Sequence, residues 1–114
     1  MPKLALLNTT IATTDGVFEV RTVDLETAQA IVQNYVEAES DWMDSAIGHE
    51  STAQIMSELL GQSVPVNRQM FAQQVGQDAL VFKLKGRAPE GKILSRDEIE
   101  GIGYEFKVMT RTTA

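Results

Sequence analysis

Strand patterns and helix patterns follow one another along the whole chain with only short turns between them, and this order restricts the fold most. Two strand patterns come first, Lys3–Leu7 and Val17–Val23, with a turn at Asp15-Gly16 between them. Two helices, two strands, a short helix and a closing strand are predicted to follow. The order ββααββαβ predicts one α/β (α+β) domain over residues 1–114, a mixed sheet of about five strands flanked by helices.

Capping residues mark the predicted helix boundaries. Asp24 is the predicted N-cap of the first helix, which ends within the acidic run Glu37–Asp44. The second helix is predicted to start at an S-x-x-Q capping box formed by Ser51 and Gln54, and to stop at Gly61. Both helices carry apolar residues at helical spacing, so each is expected to bury one face.

The C-terminal half supplies the remaining elements. Arg68–Ala72 and Asp78–Lys85 have strand patterns, and a hairpin across Gly76 could join them. Ser95 is the predicted cap of a short helix, and Tyr104–Thr110 is the predicted closing strand.

Composition excludes several kinds of site. The absence of cysteine excludes a disulfide scaffold, a thiolate zinc site and a cysteine nucleophile. The single histidine, His49, excludes a multi-histidine metal site within one chain. The run Glu37–Asp44 is interpreted as solvated surface rather than a Mg²⁺ site. The sequence contains no Walker loop, no G-x-G-x-x-G, no G-x-S-x-G and no HEXXH motif. We therefore expect neither a metal nor a cofactor.

Charge is distributed unevenly along the chain. The net charge is −6, yet eight of the ten basic residues lie after residue 60. The acidic balance argues against binding of duplex DNA, which requires a basic face. No apolar run approaches the roughly 18 residues of a membrane span. The N-terminal apolar stretch breaks at Asn8, too early for a signal peptide, so we expect a cytoplasmic protein without membrane contact.

Three residues are candidates for acid–base or phosphate chemistry. His49 lies at the expected start of the second helix, where free backbone N–H groups can hold a phosphate and an imidazole can transfer a proton. Arg87 and Glu90 lie in a loop flanked by glycines, which can present a cation and a carboxylate in fixed geometry. A structural histidine and a surface ion pair are the alternatives.

Polar residues at strand ends are further candidates. Asn8, Thr9 and Thr10 follow the first strand and could offer amide and hydroxyl groups to a ligand. Arg68 is a second potential phosphate contact. An ordinary turn and a solvated surface arginine are the alternatives.

Three motifs in order carry a resemblance to a known family. They are Ala46-Ile47-Gly48-His49-Glu50-Ser51-Thr52, then Asn67-Arg68, then Arg87-x-x-Glu90-Gly91-Lys92-Ile93-Leu94. With Asn8 at the end of the first strand, they resemble the viral ring nucleases, the type III anti-CRISPR proteins of archaeal viruses. The bacterial and phage branch, which includes YddF-like proteins, is the most similar.

The resemblance implies a homodimer that binds cyclic tetra-adenylate, the second messenger of type III CRISPR complexes. It implies metal-independent cleavage to linear di-adenylates, which silences the defence nucleases that the messenger activates. It assigns catalysis to His49, Arg87 and Glu90, and ligand contacts to Asn8 and Arg68. If a virus encodes the chain, the implied location is the host cytoplasm.

Two positions depart from the archaeal pattern. Ile11 stands where that pattern has serine, so Thr9 or Thr10 would have to supply a hydroxyl, and Lys83 stands where it has glutamine. The full set of predicted ligand-binding residues is Asn8, Thr9, Thr10, Gly48, Ser51, Arg68 and Lys83.

The implied chemistry requires few groups. The ribose 2′-OH is an internal nucleophile, so the reaction needs a general acid for the departing 5′-oxygen, which His49 can supply near pH 7. Arg87 can stabilise charge in the transition state. The role of Glu90 stays open between orienting a neighbour and accepting a proton. A non-catalytic protein that binds or senses cyclic oligonucleotides is the alternative function.

Overall fold

The computed structural model describes residues 3–86 and 94–114, which form a five-stranded sheet and three helices. The strands are β1 Leu4–Leu7, β2 Val17–Val23, β3 Met43–Ser45, β4 Asp78–Leu84 and β5 Tyr104–Thr113. The helices are α1 Leu25–Ala38, α2 Glu50–Leu60 and α3 Arg96–Ile102. This architecture confirms the predicted mixed sheet of about five strands. Within the described ranges, none of the helices has the length and apolar character needed to cross a membrane.

The sheet combines parallel and antiparallel pairing in the order β2-β5-β4-β1-β3. β1 lies between β3 and β4 and is parallel to both, with Leu6 paired to Ser45 and Leu7 paired to Val81. β5 is antiparallel to β4 and to β2. The carboxyl ends of the three parallel strands therefore emerge at one edge of the sheet. In open α/β sheets, ligands bind outside this edge.

The two faces of the sheet are covered differently. Alternation along β4 sends Leu80 and Phe82 into the large core shared with the helices, where Phe82 packs against Phe106 with ring centroids 5.3 Å apart. The opposite face buries a smaller cluster built from Ala5, Leu7, Ala79, Val81 and Met109. Three partly buried residues pack against this second cluster: Phe18, Ala46 and Phe71. Because Phe71 belongs to the segment before β4, that segment is fixed over the second face.

Three capping predictions are confirmed. Asp24 caps α1 by accepting the Thr27 backbone N–H, and Ser95 caps α3 in a capping box with Glu98. Gly61 ends α2 in the left-handed conformation, with φ 71°.

The predicted start of α2 is wrong by two residues. His49, not Ser51, is the N-cap: its backbone is extended, at φ −127° and ψ 131°, and its carbonyl accepts the Ala53 N–H at 3.1 Å. Ser51 already lies inside the first turn, so the S-x-x-Q spacing to Gln54 does not form the capping box. Because the backbone is already helical at Glu50, Ser51 lies two residues too far along α2 to be its N-cap.

The predicted element order also needs two corrections. β3 is absent from the predicted order, because two of its three residues, Met43 and Asp44, fall in the acidic run that the sequence analysis interprets as solvated surface. Arg68–Ala72 forms no strand: the described backbone between residues 62 and 77 joins no ladder, and β4 pairs with β1 and β5 instead of forming a hairpin across Gly76. The observed order is ββαβαβαβ.

Candidate functional site

A cleft of about 510 Å³ opens at the carboxyl ends of β1 and β3. Its walls come from three places: the residue after β1, the β3–α2 link, and the segment before β4. The lining residues are Asn8, Ala46, Gly48, His49, Arg68, Gln69 and Met70. Four of the predicted site residues, far apart in sequence, thus meet in one cleft: Asn8, Gly48, His49 and Arg68.

His49 lies at the mouth of this cleft as the N-cap of α2. The residue is exposed, and within the described part of the chain its side chain makes no capping hydrogen bond. Backbone N–H groups of the first helical turn lack intrahelical partners and give this end of α2 a partial positive charge. The cleft therefore combines a titratable imidazole with a site that favours an anion.

Arg68 reaches the same cleft from the segment before β4. Its Nε donates to the Gly48 carbonyl oxygen at 3.0 Å, and within residues 3–86 and 94–114 no acceptor takes a hydrogen bond from the terminal nitrogens of the guanidinium. A Cβ at position 48 would lie 3.2 Å from Arg68 Cγ, so a larger residue there would push the arginine side chain away from this close approach. The backbone is fixed one residue earlier, where the Asn67 N–H donates to the Ile47 carbonyl at 2.8 Å.

Side chains tie the segment around Arg68 to the end of β3. Asn67 Nδ2 and Gln69 Nε2 both donate to the Ser45 carbonyl oxygen, at 2.9 and 2.6 Å. Gln69 Nε2 also donates to Asp44 Oδ1 at 2.9 Å, and the Ser45 hydroxyl donates to the Pro65 carbonyl at 2.7 Å. These bonds replace a strand ladder, so a segment without regular structure holds Arg68 in a defined place.

A second recess, of about 500 Å³, adjoins the cleft and shares Asn8, Ala46, Gln69 and Met70 with it. Its other lining residues come from both sides of the same edge: Leu7, Thr9, Ile11, Thr13, Phe71 and Ala72. The two recesses are continuous through these four shared residues, and the second recess is the more apolar of the two.

The remaining predicted site residues divide into two groups. Of those in the described ranges, Thr9 lines the second recess, whereas Thr10, Ser51 and Lys83 line neither recess. Arg87 and Glu90 lie outside the described residues.

Sequence reasoning missed Ala46, Gln69 and Met70 as lining residues. Met70 falls in a segment predicted to be a strand, and its full exposure, at 101%, is visible only in the folded chain. A large apolar residue in a loop is a candidate contact residue. The position of Gln69 depends on the Ser45 carbonyl, a contact across 24 residues that no local pattern reports.

The described residues contain no candidate metal site. Across residues 3–86 and 94–114, no group of three or more His, Asp or Glu side chains could hold a metal ion.

Comparison with known proteins places the chain among viral and bacterial relatives. The family described as STIV B116-like matches residues 4–106. The chain belongs to the STIV B116-like family. Its relatives include YddF of Bacillus subtilis (strain 168), 31% identical over 109 residues, covering 96% of this chain and 97% of YddF. The ORF117 protein of Acidianus two-tailed virus is 37% identical over 95 residues, covering 82% and 78%.

A solved structure shows the same fold. B116 of Sulfolobus turreted icosahedral virus superimposes with a TM-score of 0.80, at 24% identity, covering 96% of this chain and 100% of B116. At that identity the match establishes the fold of the chain.

Proposed function

We propose that this STIV B116-like protein is a metal-independent ring nuclease that binds cyclic tetra-adenylate and cleaves it to linear di-adenylates. The observation that supports the proposal most is the meeting of His49, Arg68, Gly48 and Asn8 in one cleft at the N-terminus of α2. The chain has one histidine, and it lies where a phosphodiester would be held.

The reaction assigned to this cleft is an internal transesterification. The ribose 2′-oxygen attacks the adjacent phosphorus, the bond from phosphorus to the 5′-oxygen breaks, and a 2′,3′-cyclic phosphate forms. His49 donates a proton to the departing 5′-oxygen, and the proton of the 2′-OH passes to solvent or a basic side chain. Holding the 2′-oxygen in line with the departing oxygen supplies much of the acceleration.

The described neighbours of His49 supply the binding groups. Arg68 offers its terminal guanidinium nitrogens to the phosphate, and the exposed N–H groups of α2 add to the positive potential. The Asn8 amide lies across the cleft and can bind a ribose hydroxyl or a phosphate oxygen.

Arg87 and Glu90 enter the proposal through the sequence resemblance alone. Arg87 would stabilise charge on phosphorus in the transition state, and Glu90 would orient a neighbour or accept a proton. Both lie outside the described residues, and the described cleft contributes His49, Arg68, Gly48 and Asn8.

The symmetry of the substrate favours a homodimer. A ring of four nucleotides has two opposed scissile phosphates, and each chain carries one histidine. A two-fold dimer with the ring across its axis would present one His49 to each phosphate. Two cuts would then yield two di-adenylates and antagonise or damp type III CRISPR signalling.

The proposal is tested with radiolabelled cyclic tetra-adenylate in excess EDTA. We expect the wild-type protein to convert the ring to di-adenylates, with the cyclic tri- and hexa-adenylates as comparison substrates. Tight binding without product would instead mean a cyclic-nucleotide sponge or sensor. Neither binding nor product would exclude both functions.

Mixed dimers test the two-cut arrangement. Wild-type chains are combined with an excess of His49→Gln chains, so that nearly every wild-type chain has an inactive partner. We expect linear tetra-adenylate to accumulate, because each mixed dimer can cut once. Di-adenylate as the sole product would contradict the assignment of one histidine to each phosphate.

A further inference from the structure

The two edges of the sheet differ in length and in what covers them. β3, at one edge, has three residues, and the side chains of Asn67 and Gln69 donate to the Ser45 carbonyl oxygen at its end. β2, at the other edge, has seven residues and pairs with β5 alone among the described strands. It contains neither proline nor lysine, residues that commonly keep an edge strand from pairing. Within the described parts of the chain, β2 is therefore the open edge.

The backbone groups that β2 leaves unpaired belong to alternate residues. The Gly76 N–H donates to the Arg111 carbonyl at 2.7 Å, so Arg111 bonds on the side of β5 that faces away from β2. Its neighbour Thr110 therefore bonds toward β2, where its register partner is Glu19. The same alternation continues along β2, so the N–H and C=O groups directed to the open edge belong to Phe18, Val20 and Thr22.

The sequence of β2 is complementary to itself around Val20. If two β2 strands pair antiparallel with Val20 opposite Val20, each outward residue faces an outward residue of the other copy and exchanges backbone hydrogen bonds with it. In this register Glu19 of each copy lies opposite Arg21 of the other. A shift by two residues, the smallest that keeps the outward groups paired, would put Glu19 opposite Glu19 or Arg21 opposite Arg21. Like charges directly opposite each other are destabilising, so the charges favour the register centred on Val20.

The side chains that would meet are exposed and uncommitted. Val20 is 43% exposed, and Glu19 and Arg21 are exposed as well. Within residues 3–86 and 94–114, neither of the two charged side chains forms an ion pair. Because their backbone groups bond to β5, Glu19 and Arg21 would form the non-hydrogen-bonded pairs of a new ladder. Side chains in such pairs are the closer ones, with Cα atoms about 4.5 Å apart.

We propose that β2 pairs with β2 of a second copy of the chain, antiparallel and centred on Val20, so that one sheet runs through both copies. This surface lies apart from the cleft, because β5 and β4 separate β2 from β1. It is a second contact between copies, additional to a homodimer that holds the ring beside His49, and it does not depend on ring cleavage. Chains that use both contacts would join into tetramers or longer assemblies.

Charge reversal tests the contact and its register together. Glu19→Arg alone and Arg21→Glu alone each place like charges opposite one another across the two-fold axis. By sedimentation equilibrium without ligand, we expect either variant to raise the dissociation constant for association through β2 at least about tenfold. An equal mixture of the two variants restores opposite charges in mixed pairs and should regain the wild-type constant, as should the double variant. Glu58→Arg, which reverses an exposed charge on α2, is the matched control.

Hydrogen exchange observes the strand itself. The N–H groups of Phe18, Val20 and Thr22 face solvent in a separate copy, so their exchange should slow as the protein concentration rises. The N–H groups of Glu19 and Arg21 donate to β5 in either state and are the internal controls, whose exchange should change little.

Three results would overturn the proposal. The first is a mass that does not depend on concentration and is the same in the wild type and in both single variants. The second is a loss of association in the single variants that mixing does not restore, since the charges would then not be opposed as the register requires. The third is association of the wild type with unchanged exchange at the three outward N–H groups, which would assign the contact to another surface.

Discussion

Arg68 lies directly over Gly48, with its Nε donating to the Gly48 carbonyl oxygen at 3.0 Å. Gly48 precedes the N-cap of α2, so one short contact ties the arginine of the cleft to the residue next to His49. A Cβ on residue 48 would approach Arg68 Cγ to 3.2 Å and Nε to 3.4 Å. The relative positions of the cation and the imidazole therefore depend on a glycine.

Replacing Gly48 should damage the site more than the fold. In Gly48→Ala the added methyl displaces Arg68, and we expect the Kd for cyclic tetra-adenylate to rise roughly three- to tenfold. The free energy of unfolding should change by less than about 1 kcal/mol, because the exposed Arg68 side chain can move aside. Calorimetric titration with the His49→Gln background and urea unfolding measure the two quantities.

Gly101→Ala is the matched control for this substitution. Gly101 lies in α3, and a Cβ there would meet no atom within 4 Å among the described residues. We expect unchanged binding and a gain of about 0.5–1 kcal/mol in stability from the improved helix propensity. If the Gly48→Ala and wild-type proteins bound the ring with equal affinity, the position of Arg68 would not contribute to ligand binding.

Local signals predicted the regular elements well. The alternation in β2, β4 and β5 and the capping residues Asp24 and Ser95 act over a few residues, so a sequence pattern reports them. β3 escaped prediction because three residues cannot show a period and its pairing with β1 is long-range. The segment Arg68–Ala72 resembled a strand because it is rich in residues tolerated in extended backbone, yet side chains rather than a ladder hold it.

Part of the site was predictable as well, because residue types and short motifs are local signals that a sequence reports. His49 and Arg68 were identified from residue type and motif, and both line the cleft. Ser51 and Lys83 do not. Ser51 lies inside the first turn of α2 instead of at its N-cap, and Lys83 lies within β4, where it lines neither recess. Gln69 reaches the site through its bond to the Ser45 carbonyl oxygen, and Met70 precedes Phe71, which packs on the second face of the sheet. Only the folded chain brings these segments together.

Arg111 should contribute strongly to stability although it lies on the terminal strand. Its guanidinium donates to the Gln73 and Asp15 carbonyls, which belong to the two segments that form the recess walls. In Arg111→Met the apolar stem remains and both bonds are lost, and we expect a loss of about 1–3 kcal/mol in the free energy of unfolding. Hydrogen exchange should also speed up at residues 9–16 and 70–76.

Arg96→Met is the control for Arg111. Arg96 forms an exposed i,i+4 pair with Glu100 at 3.0 Å, and exposed pairs of this kind contribute little. We expect the unfolding midpoint of this variant to match the wild type within error. If Arg111→Met were equally neutral, the two segments would be held by other contacts.

Asp24 should make part of the stability dependent on pH. A side-chain hydrogen bond with Thr27, together with the bond from the Thr27 N–H at 2.7 Å, lowers the pKa of the Asp24 carboxyl below its ordinary value of 3.8. The unfolded state therefore binds the proton first, and the contribution of the charged cap is complete above pH 3.8 and is lost as pH falls through the lower folded-state pKa. Asp24→Asn keeps a capping oxygen that does not titrate.

The measurement is urea unfolding of the wild type and Asp24→Asn between neutral and strongly acidic pH. The stability of the wild type relative to the variant should be constant at neutral pH and decline in the acid range. A difference that stays constant throughout would mean that the Asp24 cap does not titrate differently in the folded state.

Single-turnover cleavage of cyclic tetra-adenylate in EDTA, compared between the wild type and His49→Gln, tests the central claim most directly. His49 is exposed and makes no capping bond among the described residues, so the variant should fold, which its unfolding midpoint will verify. We predict that the wild type produces di-adenylates and that His49→Gln binds the ring but cleaves it at least about 100-fold more slowly. Cleavage by a folded His49→Gln protein at the wild-type rate would contradict the account.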